Sequence, residues 1–229
     1  MGNRHHGKKV NAAIRQLKAD SERISRRGLM DLFAGKAEIF PLDLLAIAAI
    51  KRNMSTSRAI GALVRSRNMI SARALLRVHL DTLLRFSAAW LVNDPHEFAM
   101  QVLRGQKIGE MKDRTGKKMR DAYLVEILSA DYPWLKTVYD SLSGYVHFSE
   151  EHIFAPVVGV SEASDALHMQ FLLSDEDSKF PAASWLEILE CCHEATMGLE
   201  RFLGGYASTK RLSSEELATL RALKDLRNE

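Results

Sequence analysis

Apolar residues along the chain recur mainly at three- and four-residue steps, the period of helices that bury one face. From Lys8 to about Phe33, Val10, Ile14, Leu17, Ile24 and Leu29 keep that period loosely among charges. This predicts an amphipathic helix with a wet outer face, packed on the main body. Pro41 suits the first turn of a helix through LDLLAIAAIKRN, and Ser55-Thr56-Ser57 then offers a cap or a kink before RAIGALVRSRN. One long helix and two short ones both fit. From Ile70 to Val92, Leu75, Leu76, Leu80, Leu83, Leu84, Ala88 and Leu91 give the clearest helical pattern, predicted to be central.

Asp94-Pro95 supplies a stop and a cap for the helix HEFAMQVLRGQKIGEM; KDRTGKKM then reads as a charged loop holding a glycine. MRDAYLVEILSA is helical, and Tyr132-Pro133-Trp134 opens a helix that leads into YDSLSGYVHFSEEH. After His152 the texture changes: IFAPVVGVS and ALHMQFLLS are short, partly β-branched runs between small and acidic residues, which predict a β-hairpin. Pro181 begins a helix that Gly204-Gly205 should end, and Ser213 with Glu216 is a capping-box signature for a last short helix. The chain shows no fixed repeat, low-complexity run or linker. The expected fold is therefore mainly all-α: one helical bundle over residues 1–229, with a peripheral N-terminal helix at 1–33. A hairpin insertion occupies 154–180, its strands near 154–174.

Composition narrows the class. With 46% hydrophobic and 27% charged residues the chain is neither disordered nor fibrous. Its longest apolar run, Leu44–Ile50, falls far short of the roughly 20 residues that span a bilayer, so no membrane partner is expected. No apolar signal region follows the basic start, and His6 stands where a myristoylation signal wants Ser or Thr. Cys191 and Cys192 are sequence neighbours, poorly placed for a mutual disulfide, which suits a reducing compartment and a cytoplasmic location. Charge is divided along the chain. Residues 1–27 carry eight Lys/Arg against two acids, and residues 51–85 carry eight against Asp81 alone. Residues 150–200 carry eleven acids against Lys179. The basic front half can meet phosphate or the acidic back half of the same chain.

Candidate chemistry concentrates on two stripes. Arg73, Arg77, Asp81 and Arg85 step by four along the central helix, bordered by leucines, so the arginines need a partner and Asp81 is the one within the stripe. A structural ladder and an anion site both follow from that pattern. In a helix reaching His147, Tyr139, Ser143 and His147 also share a stripe, beside Val138, Leu142 and Val146. Two such stripes are what a pocket between helices requires, with His147 as general acid or base and Asp81 or Tyr139 fixing its tautomer. His147 and His152 sit about 140° apart on a helix, unlike the one-turn step of a zinc helix, so without a bend at Ser149 they cannot share an ion and no metal is expected. No serine elbow Gly-x-Ser-x-Gly occurs, and Lys118 stands where a phosphate loop requires Ser or Thr. Lys112, Arg114, Lys117, Lys118 and Arg120 read as a solvated loop or a phosphate patch. No cofactor is expected.

The runs NMISARALLRVHLDTLLR, KDRTGKKMRDAYL and YPWLKTVYDSLSGYVHFSEEHI resemble a family of uncharacterised bacterial helical proteins with an Arg-x-x-x-acid helix and a later Ser-x-x-x-His-x-Ser element. The resemblance covers roughly residues 65–155. It implies an all-α bundle loosely similar to the nucleotidyltransferase-associated helical domains called HEPN, several of which are RNases in toxin and phage-defence systems. By position it points to Arg77, Asp81, Ser143, His147 and Ser149. Those RNases place an Arg four to six residues ahead of a His, but Asp140, Ser141 and Leu142 occupy the corresponding places before His147. Arg73 and His79 do fit that spacing. The leading expectation is a binding or regulatory module, in bacterial defence, with an anion or nucleotide pocket at Arg77, Asp81 and His147 flanked by Arg73, Arg85, Tyr139, Ser143, Ser149 and His152. The alternatives are a metal-independent RNase in which His147 and Arg77 act on an RNA phosphate, and a homodimer joined through amphipathic helices.

Overall fold

A computed structural model describes residues 6–33, 38–163, 166–177 and 179–210. Helix α1 (Lys8–Phe33), α2 (Pro41–Arg65), α3 (Met69–Ser87) and α8 (Ala182–Lys210) pack as a ring, each against the next and α8 back against α1. Shorter helices decorate it: α4 (Pro95–Leu103) on α2, and α5 (Asp121–Leu128) and α6 (Trp134–Val146) on α3. The one-turn-and-a-bit α7 (Glu150–Phe154) leads into an antiparallel hairpin of β1 (Val157–Ala163) and β2 (Ala166–Phe171). The mainly all-α fold with a small hairpin is thus what the chain adopts. Among the described residues no helix is long and apolar enough to cross a membrane.

Several boundaries differ from the sequence expectation, each for a local reason. The first helix is a full member of the bundle and not peripheral: Val10, Ile14, Leu17, Ile24 and Leu32 are buried, on a face closed by α2 and α8. No break occurs in α2, because Thr56 Oγ1 bonds back to the Arg52 carbonyl at 2.9 Å and stays within the helix. Asp94 caps α4 through the His96 and Glu97 amides, as the sequence suggests. That helix nevertheless stops at Leu103, since Gly105 takes φ +91° and a 3-10 turn follows at Ile108–Glu110.

Gly204-Gly205 does not terminate α8. The helix continues to Lys210, whose side chain is 6% exposed and whose ammonium donates to the Leu32 carbonyl at 2.9 Å and to Asp43 at 2.8 Å. This buried ion pair ties the last turns to α1 and α2 and outweighs the low helix propensity of two glycines. The capping box at Ser213 and Glu216 lies outside the described residues.

The position of α3 matters most for function. Its inner face buries Ala72, Leu76, His79, Leu80 and Leu83 in the bundle. The stripe of Arg73, Arg77, Asp81 and Arg85 therefore points outward, onto the side covered by α5 and α6.

Candidate anion-binding site

The two polar stripes meet. Arg77, Val78 and Asp81 of α3, Arg52 of α2, Asp121 at the start of α5, and Ser143, Val146 and His147 of α6 and its C-cap line a cavity of about 280 Å³. At its base the Arg77 guanidinium carbon stands over the Tyr139 ring, 3.5 Å from the centroid, and the group donates to Asp121 Oδ2 at 3.1 Å. The Tyr139 hydroxyl donates to the same oxygen at 2.8 Å. Burial holds the Arg77 guanidinium below its ordinary pKa, with Asp121 and Asp81 opposing that effect. Asp81 is not the direct partner of Arg77. It accepts from Arg85 at 3.0 Å and from Arg52 at 2.9 Å, while Arg85 also bonds Asp121 and the Met119 carbonyl.

The hydrogen-bond inventory of this network is one-sided. Three guanidiniums face two carboxylates, and all four carboxylate oxygens already accept. Arg85 spends all three of its nitrogens on that network. Arg52 and Arg77 each bond through a single nitrogen, so both keep donors with no protein acceptor among the described residues. His147 caps α6 with extended backbone, is exposed, and its ring makes no hydrogen bond among those residues. Ser143 directs its hydroxyl to the Tyr139 carbonyl at 3.3 Å. The pocket thus presents guanidinium donors without a protein acceptor, beside one carboxylate that accepts two hydrogen bonds and one that accepts three, at an excess of one positive charge.

The other residues expected at this site lie elsewhere. Arg73 donates to the Tyr145 hydroxyl at 2.6 Å and stacks on that ring, and Tyr145 in turn donates to Glu151. Ser149 caps α7 and gives its hydroxyl to the Gly144 carbonyl at 2.7 Å. Gly144 has to be small here, since a Cβ would stand 3.0 Å from Glu151 Cγ and 3.2 Å from Ser149 Oγ. The chain does bend at Ser149, yet His152 turns away from His147, stacks on Phe148 and lines a different, apolar groove with Ile70 and Leu172. No three His, Cys, Asp or Glu side chains are grouped to hold a metal among the described residues.

Arg73 and His79 keep the RNase spacing but not the geometry. His79 is 1% exposed inside the bundle, its Nδ1 2.7 Å from Thr56 Oγ1 and its Nε2 3.2 Å from the Cys192 carbonyl; burial depresses its pKa to about 4. Burial also pushes the Cys191 and Cys192 thiols up to about 12, so neither is a nucleophile at neutral pH.

The charged loop is a folded turn. Asp113 accepts from the Thr115 and Lys117 amides and the Thr115 and Tyr123 hydroxyls. Burial opposes its ionisation, but these hydrogen bonds prevail and bring its pKa down to about 2. Arg114 is drawn to the Leu91 and Trp90 carbonyls and Lys117 to the Tyr123 ring and Glu126, which disperses the basic patch.

Sequence reasoning missed Arg52 and Asp121. Arg52 closes the apolar run of α2, and Asp121 is the acid that follows the basic loop; only the packing of α2 and α5 on α3 joins them to Arg77. Comparison with family models, curated proteins and solved structures returns no match to this chain.

Proposed function

We propose that the chain is a binding module for a small phosphate-bearing ligand, such as a nucleotide, held in the pocket between α3 and α6. The observation that carries this reading is the imbalance of the polar network: three guanidiniums face two carboxylates, and Arg52 and Arg77 retain unbonded donors. A cation would meet an excess of one positive charge, whereas a phosphate would find two guanidinium edges and the His147 ring. A cavity of about 280 Å³ lies just below the about 300–1,000 Å³ of whole-ligand pockets, and suits a phosphate group with the remainder of the ligand toward solvent. Titration with inorganic phosphate, AMP and ATP at low salt, followed by calorimetry and thermal shift, tests this. Arg77→Ala should weaken the response by about 10- to 100-fold; equal responses from Arg77→Ala and wild type would remove the site.

Phosphodiester cleavage is the second reading, favoured by the unbonded His147 ring at the mouth of the pocket. Incubation with total RNA decides it, because cleavage must disappear in His147→Ala. The wider role, a regulatory module in bacterial phage defence, rests on the resemblance of residues 65–155, and the neighbouring genes test it.

A further inference from the structure

The hairpin has one mainly apolar face, and no element among the described residues covers it. Cross-strand pairing sets Val160 opposite Met169 and Glu162 opposite Leu167, with Phe171 opposite Val157 beyond a bulge. Alternation therefore gathers Val160, Leu167, Met169 and Phe171 on one side, with Glu162 toward the turn end of that side, and Gly159, Ser161, His168 and Gln170 on the other. Such alternation is the signature of a half-buried strand pair. Here the four apolar side chains are 59%, 63%, 40% and 60% exposed. At the foot of the hairpin Leu172 and Leu173 are 48% and 87% exposed and continue into the apolar groove that His152 lines. A lone two-stranded hairpin is marginal in water, so a face patterned for burial implies a cover.

We infer that the cover is a second copy of this chain, the two hairpins packing apolar face to apolar face about a two-fold axis. The area fits. At roughly 150–200 Å² for each fully exposed large side chain, these six and their neighbour Val158 present about 700 Å², close to the about 800 Å² that each partner contributes to a standard interface. It also exceeds the about 300–600 Å² of the largest apolar patch on an ordinary monomer. A two-fold axis makes the strand face its own complement and closes the assembly at a dimer, whereas a head-to-tail contact would build a ring or a filament. Other exposed large apolar residues lie at the end of α1 and the start of α2, among them Leu29, Met30 and Leu44, and around α7, among them Phe148 and Phe154, but the hairpin alone among the described residues sets them on paired strands. This interface differs from the helix-mediated dimer suggested by sequence, and it does not depend on the anion pocket.

Sedimentation equilibrium of the full chain at about 100 µM, far above a micromolar Kd, should give twice the 25.8 kDa chain mass. Leu167→Asp combined with Phe171→Asp should return it to the single-chain mass with unchanged far-ultraviolet circular dichroism, because neither side chain is in the core. Gln170→Asp, on the opposite face, should leave the dimer intact, and Met169→Cys should form a covalent dimer on oxidation. A monomeric wild type at that concentration overturns the proposal, as does a dimer that survives the double substitution or dissociates equally with Gln170→Asp.

Discussion

Replacing Asp121 with Asn separates an anion site from a purely structural ladder, because the two readings assign the change opposite consequences for binding. Asp121 accepts from Arg77, Arg85 and Tyr139. The amide oxygen of Asn can still accept from Tyr139, so the loss is one charge and two ion pairs. With 39% of the side chain exposed, solvent screening limits the cost to about 1–2 kcal/mol, or a fall in Tm of roughly 2–8 °C for a chain of this size. The Asp121 carboxylate sits 3.1 Å from one edge of the Arg77 guanidinium. A phosphate on the other edge would stand about 7 Å from it, where an effective dielectric near 40 gives about 1 kcal/mol of repulsion per phosphate charge. Removing that repulsion should tighten phosphate binding about fivefold. Calorimetric titration with inorganic phosphate at two ionic strengths reads the affinity, and the gain should shrink at higher salt. A less stable Asp121→Asn that binds phosphate no better than wild type would refute the anion site and leave the ladder.

Other outcomes follow from the same contacts. Arg77→Ala should weaken phosphate binding by about 10- to 100-fold, the worth of one charge-assisted contact, measured by the same titration. Asp43→Ala strands the buried Lys210 ammonium and should cost about 3–5 kcal/mol in urea unfolding. His79 has a folded pKa near 4 against about 6.5 unfolded, so the unfolded chain binds the proton first and stability falls as pH drops from about 6.5 to 4, by up to about 3 kcal/mol. Asp113, titrating near 2, adds nothing to that window. Unfolding midpoints at pH 7 and pH 4.5 should show the loss in wild type and lack it in His79→Gln; an identical slope in both removes His79 as the cause.

The fold was legible wherever one local rule decided. The leucine period of α3, the Asp94 cap and the alternation of the hairpin each depend on neighbours in sequence, and each appears, although α3 gives way to a 3-10 turn at Ala88–Trp90 short of the expected Val92. The rule failed at Gly204-Gly205, where a poor helical pair is overruled by Lys210 bonding to Asp43, 167 residues away. The candidate site divides along the same line. Spacing placed Arg77 and Asp81 on one stripe and Tyr139, Ser143 and His147 on another, and the packing of α6 on α3 brings them to one cavity. Spacing also joined Asp81 to Arg77 and matched Arg73 with His79, and in both cases the side chains take other partners. Position along a helix fixes direction but not what stands opposite, and that depends on which element is packed there. Asp121 stands at the start of a short helix after a loop, with nothing local to mark it, yet it holds Arg77, Arg85 and Tyr139 together. By occupying one edge of Arg77 and filling Arg85, it also determines which donors are left over. Whatever binds in this pocket is therefore selected by an acid that need not touch it.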